Sequence, residues 1–247
     1  MALLKNVVGI VSGGASGLGA ATAAYIVRNG GRVVVADLAS QHESFLRLAA
    51  ASCAEAAVAA AADTTVSSPV LAFAETDVTN EDQVSAALDL AESQFGEPVN
   101  AAISCAGVGT AKKVLARPKE GDVMPRVHSL EEFSKTMQVN TVGTFNVARL
   151  AAQRMALREP DNEGLRGCII NTASIALASP LINFPFTSRL TISPSSSIRY
   201  IPVISSELSL LKILGSSKKK VAVPLLPVLE RVTLISGIAS SVTPLAN

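Results

Sequence analysis

The 247-residue chain has no tryptophan, two tyrosines, two histidines and three cysteines, and charged residues make up only 17% of it. Each shortage excludes something. Cys53, Cys105 and Cys168 have no close spacing, so no disulfide framework is expected and a reducing compartment fits. His42 and His128 beside those scattered cysteines make no zinc pattern, and no metal site is expected. A formal net charge of +1 argues against nucleic acid or an anionic membrane as the main partner. The charge-free run from Gly167 to Ser188 holds Asn171, Pro180, Asn183 and Pro185, which makes it a poor membrane span. The first strand follows almost directly on Met1-Ala2-Leu3-Leu4-Lys5, leaving no room for a signal peptide. A cytoplasmic or mitochondrial-matrix location is the expectation.

What is present is apolar and rhythmic. Hydrophobic residues are 49% of the chain, and its length suits one large α/β domain. Val7–Val11 reads as a strand and Gly19–Asn29 as a helix closed by Gly30-Gly31. Arg32–Ala36 reads as a second strand, and the Ala-rich stretch from Leu46 to Ala62 as a helix or an insertion. Leu71–Thr76, Val99–Ser104 and Cys168–Thr172 read as further strands. Between them lie a helix from Thr79, with Val84, Ala87, Leu88 and Ala91 on one face, and a long helix opened by the capping box Ser129-Leu130-Glu131-Glu132. Val108 to Arg126 reads as a polar, basic surface loop near the site. Five strands separated by helices predict an α/β fold, a Rossmann-type doubly wound parallel sheet.

Beyond Ala176 the rhythm fails. Residues 1–176 hold 14 Lys/Arg against 18 Asp/Glu, whereas residues 177–247 hold 7 against 2. Seven prolines, from Pro180 to Pro244, break any long helix there. Ile198–Ile204 and Val232–Ile235 read as short strands, but no sixth βα unit is expected. The organisation predicted is a nucleotide-binding unit over 1–176 and a divergent Ser/Pro-rich tail over 177–247. A sheet that stops after five strands leaves the fifth as a bare apolar edge unless the tail covers it.

Ser12-Gly13-Gly14-Ala15-Ser16-Gly17-Leu18-Gly19 carries the strongest chemical signal. A strand, a glycine turn and a helix start in that order make a phosphate cradle. Glycine lets the backbone approach a pyrophosphate, and the helix N-terminus offers free N–H groups and a positive dipole end. Gly13, Ser16, Gly17, Leu18 and Gly19 are the expected contacts; the bland alternative is a tight turn that binds nothing. Asp37 ends the second strand, where a carboxylate accepts ribose hydroxyls and repels a 2′-phosphate, favouring NAD over NADP. A solvated loop aspartate is its alternative. Asp77-Val78 after the third strand can border an adenine or serve a helix cap. Cys105-Ala106-Gly107 after the fourth is small enough for a cofactor to lie against it, or is a plain turn.

Together these features resemble the short-chain dehydrogenase/reductase family. Asn140-Thr141-Val142-Gly143-Thr144-Phe145 looks like that family's Asn motif, and Asn171-Thr172-Ala173-Ser174 like the strand that delivers its catalytic serine. Gly143–Val147, Glu159–Asp161 and Cys168–Ala176 resemble the branch acting on 3-hydroxyacyl-CoA and hydroxysteroids. The resemblance covers about residues 5–176, with the Ala-rich segment around 47–62 as a departure. It implies NAD as cofactor, an acyl-CoA or steroid as small-molecule substrate, and a homotetramer. Ser174 would orient the substrate oxygen, and Asn140 would support a water and proton relay.

The resemblance also implies a Tyr-x-x-x-Lys motif, in which a lysine one helical turn on lowers the tyrosine pKa from about 10. The family places that pair where this chain has Thr187 and Thr191. Tyr25 is followed four residues later by Asn29, and Tyr200 by Ile204 with Pro202 between. No rearranged copy exists. The abrupt change after Ala176 is what a shifted reading frame, a retained intron or an alternative exon produces. The functional expectation is thus an NAD-dependent oxidoreductase of a secondary alcohol. The alternatives are a catalytically dead NAD-binding or interaction protein and an unstable product of altered splicing or frame.

Overall fold

The computed structural model describes residues 4–60, 70–109, 114–119, 123–173 and 198–204. Short, mostly apolar runs form the strands β1 (Val8–Ser12), β2 (Arg32–Asp37), β3 (Leu71–Glu75), β4 (Ala101–Ser104), β7 (Gly167–Ala173) and β8 (Ile198–Ile204). They make one sheet in the order β3-β2-β1-β4-β7-β8, with every neighbouring pair parallel. Between β4 and β7, a small antiparallel pair, β5 (Leu115–Ala116) with β6 (Arg126–Val127), lies in the stretch expected to be plain loop.

Both faces of the sheet are covered, which is why its strands read as continuous apolar runs rather than alternating ones. Side chains on successive strand residues point to opposite faces. Val8 and Ile10 of β1, Val34 of β2 and Ile169 of β7 lie in one core cluster with Val84, Leu88, Val147 and Ala151 of α3 (Glu81–Phe95) and α5 (Thr144–Ala156). Val11, Val33, Val35 and Ile170 lie in the other, with Ala23 and Ile26 of α1 (Gly17–Arg28) and Phe45 of α2 (His42–Ala60). The doubly wound sheet expected from the sequence is the one observed.

Two helix boundaries differ from the sequence reading. The third helix starts at Glu81, not Thr79, because the Asn80 side chain accepts the Gln83 N–H and caps it. The long helix after Ser129 is not continuous. Ser129 caps it as expected, its Oγ accepting from Glu132 N–H, but α4 (Leu130–Met137) passes into a π-helical turn, Gln138–Gly143, before α5 begins. Such a turn widens the helix locally and re-aims the side chains on it.

Of the two tail segments read as short strands, Ile198–Ile204 is one, and it covers the edge that β7 would otherwise leave bare. Residues 198–204 run parallel to β7 in register from Gly167–Ile198 to Ala173–Ile204. The segment is rich in Ile and Val, and its awkward residue, Pro202, is tolerable because β8 is last in the sheet order among the described residues. Proline has no N–H to give a ladder, a loss an edge strand tolerates because it has a neighbour on one side only. Val232–Ile235, Thr187, Thr191 and the rest of the expected tail lie outside the described residues.

At the end of the sheet where the strands begin, one carboxylate ties three segments together. Arg32 donates to Glu97 Oε1 at 3.0 Å and to the Phe95 carbonyl at 2.8 Å, while Arg158 donates to Glu97 Oε2 at 3.2 Å and to the Pro98 carbonyl. Burial works to raise the Glu97 pKa, but the hydrogen bonds and charges of Arg32 and Arg158 outweigh it and hold the carboxyl below its ordinary 4.5. A depressed folded-state value stabilises the fold above the unfolded value and loses that contribution as pH falls through the folded one. Glu97→Gln is therefore expected to lower the melting temperature at pH 7. The gap from wild type is expected to shrink as the pH drops below 4.5, modestly throughout because the side chain is half exposed to screening. Melting curves of both proteins between pH 3 and 8 check this.

Candidate functional site

Every strand that feeds the site does so from its carboxyl end. The sheet order reverses direction between β1 and β4: the chain steps outward from β1 to β2 and β3, then returns past β1 to β4. Open α/β sheets form their crevice at such a point.

The glycine turn sits there. Gly13 has a left-handed φ of +65°, and a Cβ on it would lie 2.7 Å from the backbone of Ala106. A Cβ on Gly19 would lie 2.1 Å from the Gly13 carbonyl oxygen, so the helix start folds hard onto the turn. Gly17 is the opposite case: its φ is +50° and nothing lies within 4 Å of where its Cβ would be. Ser16 caps α1 with extended backbone but makes no side-chain cap hydrogen bond, and the first turn of α1 carries no acidic residue. The outcome is an exposed Ser16 hydroxyl and open space beside Gly17 at the helix start, where the amides of Gly17, Leu18 and Gly19 lie. These amides have no acceptor within the helix by construction. The donor set fits a pyrophosphate.

Asp37 is the last residue of β2. Its Oδ2 accepts the Ala15 N–H at 3.0 Å and its Oδ1 accepts the Leu38 N–H at 2.9 Å. Each carboxylate oxygen keeps a further lone pair for a ligand hydroxyl. Asp77 follows β3. Its Oδ1 accepts both the N–H and the hydroxyl of Thr79, at 2.9 and 2.8 Å, which makes it the anchor of the turn into α3, while Asn80 is the cap. The Val78 side chain is buried against Gly143, and its carbonyl accepts from Asn146 Nδ2 at 2.9 Å.

Beyond β4, the Cys105 N–H donates to the Ser12 carbonyl at 3.0 Å, carrying the β1–β4 pairing one step further. Ala106 packs on Gly13, and Gly107 is exposed. Asn140, on the π turn, grips the next residue with both ends of its amide: Oδ1 accepts the Val108 N–H and Nδ2 donates to the Val108 carbonyl, each at 2.8 Å. Asn140 thus fixes the path of the β4 exit. Ser174 lies outside the described residues, directly after β7 ends at Ala173. Thr172, near that end, donates its hydroxyl to the Ser104 carbonyl at 2.9 Å. So the structure gathers Gly13, Ser16, Gly17, Leu18, Gly19, Asp37, Asp77, Cys105, Ala106, Gly107 and Asn140 at one edge of the sheet. It buries the side chain of Val78 beneath them.

Burial pushes the Cys105 thiol up to about 12, so it stays protonated near neutrality and is no nucleophile. At pH 8 its alkylation by iodoacetamide is expected to run about a thousandfold slower than that of a free thiol of ordinary pKa. Mass spectrometry of the Cys105 peptide over time reads this directly. Among the described residues, no group of three or more His, Cys, Asp or Glu could hold a metal, and no helix is long and apolar enough to cross a membrane.

Sequence reasoning missed Ala15, Val108 and Asn146. The first two act through backbone atoms, which every residue has, so no side-chain signal could have found them. Asn146 offered one: a polar side chain on a helix face that is otherwise apolar and buried.

Comparison with known proteins bears on this edge. A family profile described as short chain dehydrogenase matches residues 7–186. Over 174 residues the chain is 41% identical to 3-hydroxyacyl-CoA dehydrogenase type-2 of Bos taurus, covering 70% of this chain and 58% of that protein. It is also 41% identical over 174 residues to the Drosophila melanogaster protein of the same name, covering 59% of it. The crystal structure of 3-hydroxyacyl-CoA dehydrogenase type-2 from Mycobacterium avium superposes with a TM-score of 0.54 at 34% identity, covering 70% of this chain and 58% of that one. The matched region spans under two thirds of each of these relatives.

Proposed function

The chain belongs to the short-chain dehydrogenase family, and from that membership we propose that it is an NAD-dependent oxidoreductase of a secondary alcohol, with a 3-hydroxyacyl-CoA or a hydroxysteroid as substrate class. The observation that carries the reading is the pairing of an open glycine turn with a carboxylate at the tip of β2. Gly13, Ser16, Gly17, Leu18 and Gly19 cradle the pyrophosphate. Asp37 accepts the adenosine ribose hydroxyls and repels a 2′-phosphate, which favours NAD over NADP. Asp77 and Val78 border the adenine, and Cys105, Ala106 and Gly107 lie along the linker. When bound, NAD supplies a hydride acceptor.

The chain's own residues do the rest. Ser174 orients and polarises the substrate oxygen at the end of β7. Asn140 holds the β4 exit through Val108 and supports a proton relay beside it. Residues 1–176 make up the nucleotide-binding unit, and 177–247 stand where the family's Tyr-x-x-x-Lys helix and last strands would be. That substitution favours a second reading, an NAD-binding protein without turnover, because neither tyrosine of the chain has a lysine four residues on. Loss of a positioned acid/base slows a reaction by about 10²–10⁴-fold.

NADH fluorescence titration with an acetoacetyl-CoA reduction assay separates the readings. Binding with turnover supports the oxidoreductase. Binding without turnover supports the silent nucleotide binder, and absence of both from a folded sample removes the two together.

A further inference from the structure

We propose that Asp37 is a positioning residue for the phosphate turn as well as a reader of the ribose: its carboxylate holds the turn in its ligand-ready shape through the Ala15 amide, before any dinucleotide arrives. The inference rests on the pyrophosphate reading of the glycine turn and adds a duty that the reading does not contain. Ala15 lies in the middle of that turn and is almost fully buried. Its N–H points to Asp37 Oδ2, 22 positions along the chain, at 3.0 Å. A buried amide left without an acceptor is costly, so the turn loses its conformation if the carboxylate is removed. The Leu38 N–H on Oδ1 fixes the carboxylate in turn, at 2.9 Å.

The arrangement also answers an electrostatic difficulty. An acidic side chain beside an anion cradle should oppose pyrophosphate. Two N–H donors on its oxygens stabilise the negative charge and draw it toward the backbone, while the early amides of α1 remain free for the ligand. A turn held rigid in advance loses less freedom on binding. The consequence is that exchanging Asp37 for a residue without an acceptor oxygen does more than admit NADP: it also loosens the grip on the phosphates that both cofactors share.

Hydrogen exchange of the full chain without cofactor reads the tether. In Asp37→Ala the Ala15 amide is expected to exchange about tenfold faster, as loss of one hydrogen bond to a charged group implies. Amides within β1 and β2 are expected to exchange as in wild type. Inorganic pyrophosphate is expected to bind Asp37→Ala about fivefold or more weakly. Asp37→Asn keeps an acceptor oxygen without the charge. It is expected to restore Ala15 protection and pyrophosphate binding to within about threefold of wild type while losing the preference for NAD over NADP. A pure ribose reader predicts the reverse: unchanged Ala15 exchange, and pyrophosphate bound equally or more tightly once the charge is gone. Either of those results overturns the proposal. Should Asp37→Ala not fold, Asp37→Ser decides in its place, since its hydroxyl is too short to reach the Ala15 amide: faster Ala15 exchange supports the tether and unchanged exchange contradicts it. Because the exchange measurement needs no dinucleotide, the tether and the NAD reading fail separately.

Discussion

Gly19→Ala is expected to destabilise the chain by about 2–3 kcal/mol, the upper end of what overpacking brings, and to abolish measurable dinucleotide binding. The reason is geometric. The added Cβ would sit 2.1 Å from the Gly13 carbonyl oxygen and 2.8 Å from its carbonyl carbon. Both are backbone atoms, so no side chain can swing aside. Gly13 is itself pinned, because its own missing Cβ faces the backbone of Ala106. Relief can come only from moving the start of α1 off the turn, which scatters the amides of the cradle. Gly17→Ala is the informative partner. There a methyl meets no atom, and the positive φ costs about 1–2 kcal/mol. Gly17→Ala should therefore fold, and lose affinity because its methyl enters the space reserved for the ligand. Urea denaturation and NADH titration of the two variants separate clash from occupancy. Equal stability of Gly19→Ala and wild type would show that the turn is not packed as described.

Ile169→Ala is expected to be the most damaging single change in the sheet, at about 2–5 kcal/mol. Ile169 lies on β7, fully shielded from solvent, in the same core cluster as Ile10, Val147, Ala151 and Met155. Strand β7 has β4 on one side and β8 on the other. A cavity beneath it cannot be closed by shifting the strand without breaking both pairings. Ile169→Val removes one methylene and is expected to lower stability by about 0.5–1.5 kcal/mol. Against a typical total of about 5–15 kcal/mol, the alanine variant should unfold at a much lower urea concentration. A loss below 1 kcal/mol in Ile169→Ala would mean that β7 is not held in a tight core.

The first crossover was the most legible part of the chain. The apolar run of β1 is buried on both faces and is followed at once by Gly13-Gly14, so its type and place could be read within a residue or two. The Asp37 position followed from the end of β2. Legibility fell where pairing, rather than local pattern, decides. Ile198–Ile204 carries an ordinary strand composition and was read as a short strand, but nothing in it says that its partner is β7. The π turn left no trace in composition, since Gln138–Gly143 reads as plain continuation of the helix capped by Ser129. The Asn140–Val108 and Asp37–Ala15 contacts were hidden because one partner in each is main chain. Asn140 was singled out on sequence for a relay, and the contact now visible is with backbone beyond β4. Ser174 was chosen by resemblance alone, and only the strand leading to it is described.

Isothermal titration of NAD into the folded full-length chain, with NADP as the matched control, tests the central claim most directly. Saturable heat with NAD and at least about tenfold weaker binding of NADP is the expected result, as one repelled phosphate at Asp37 implies. No heat with NAD, or NADP bound as tightly, would contradict a dinucleotide seated on the glycine turn with its ribose on Asp37.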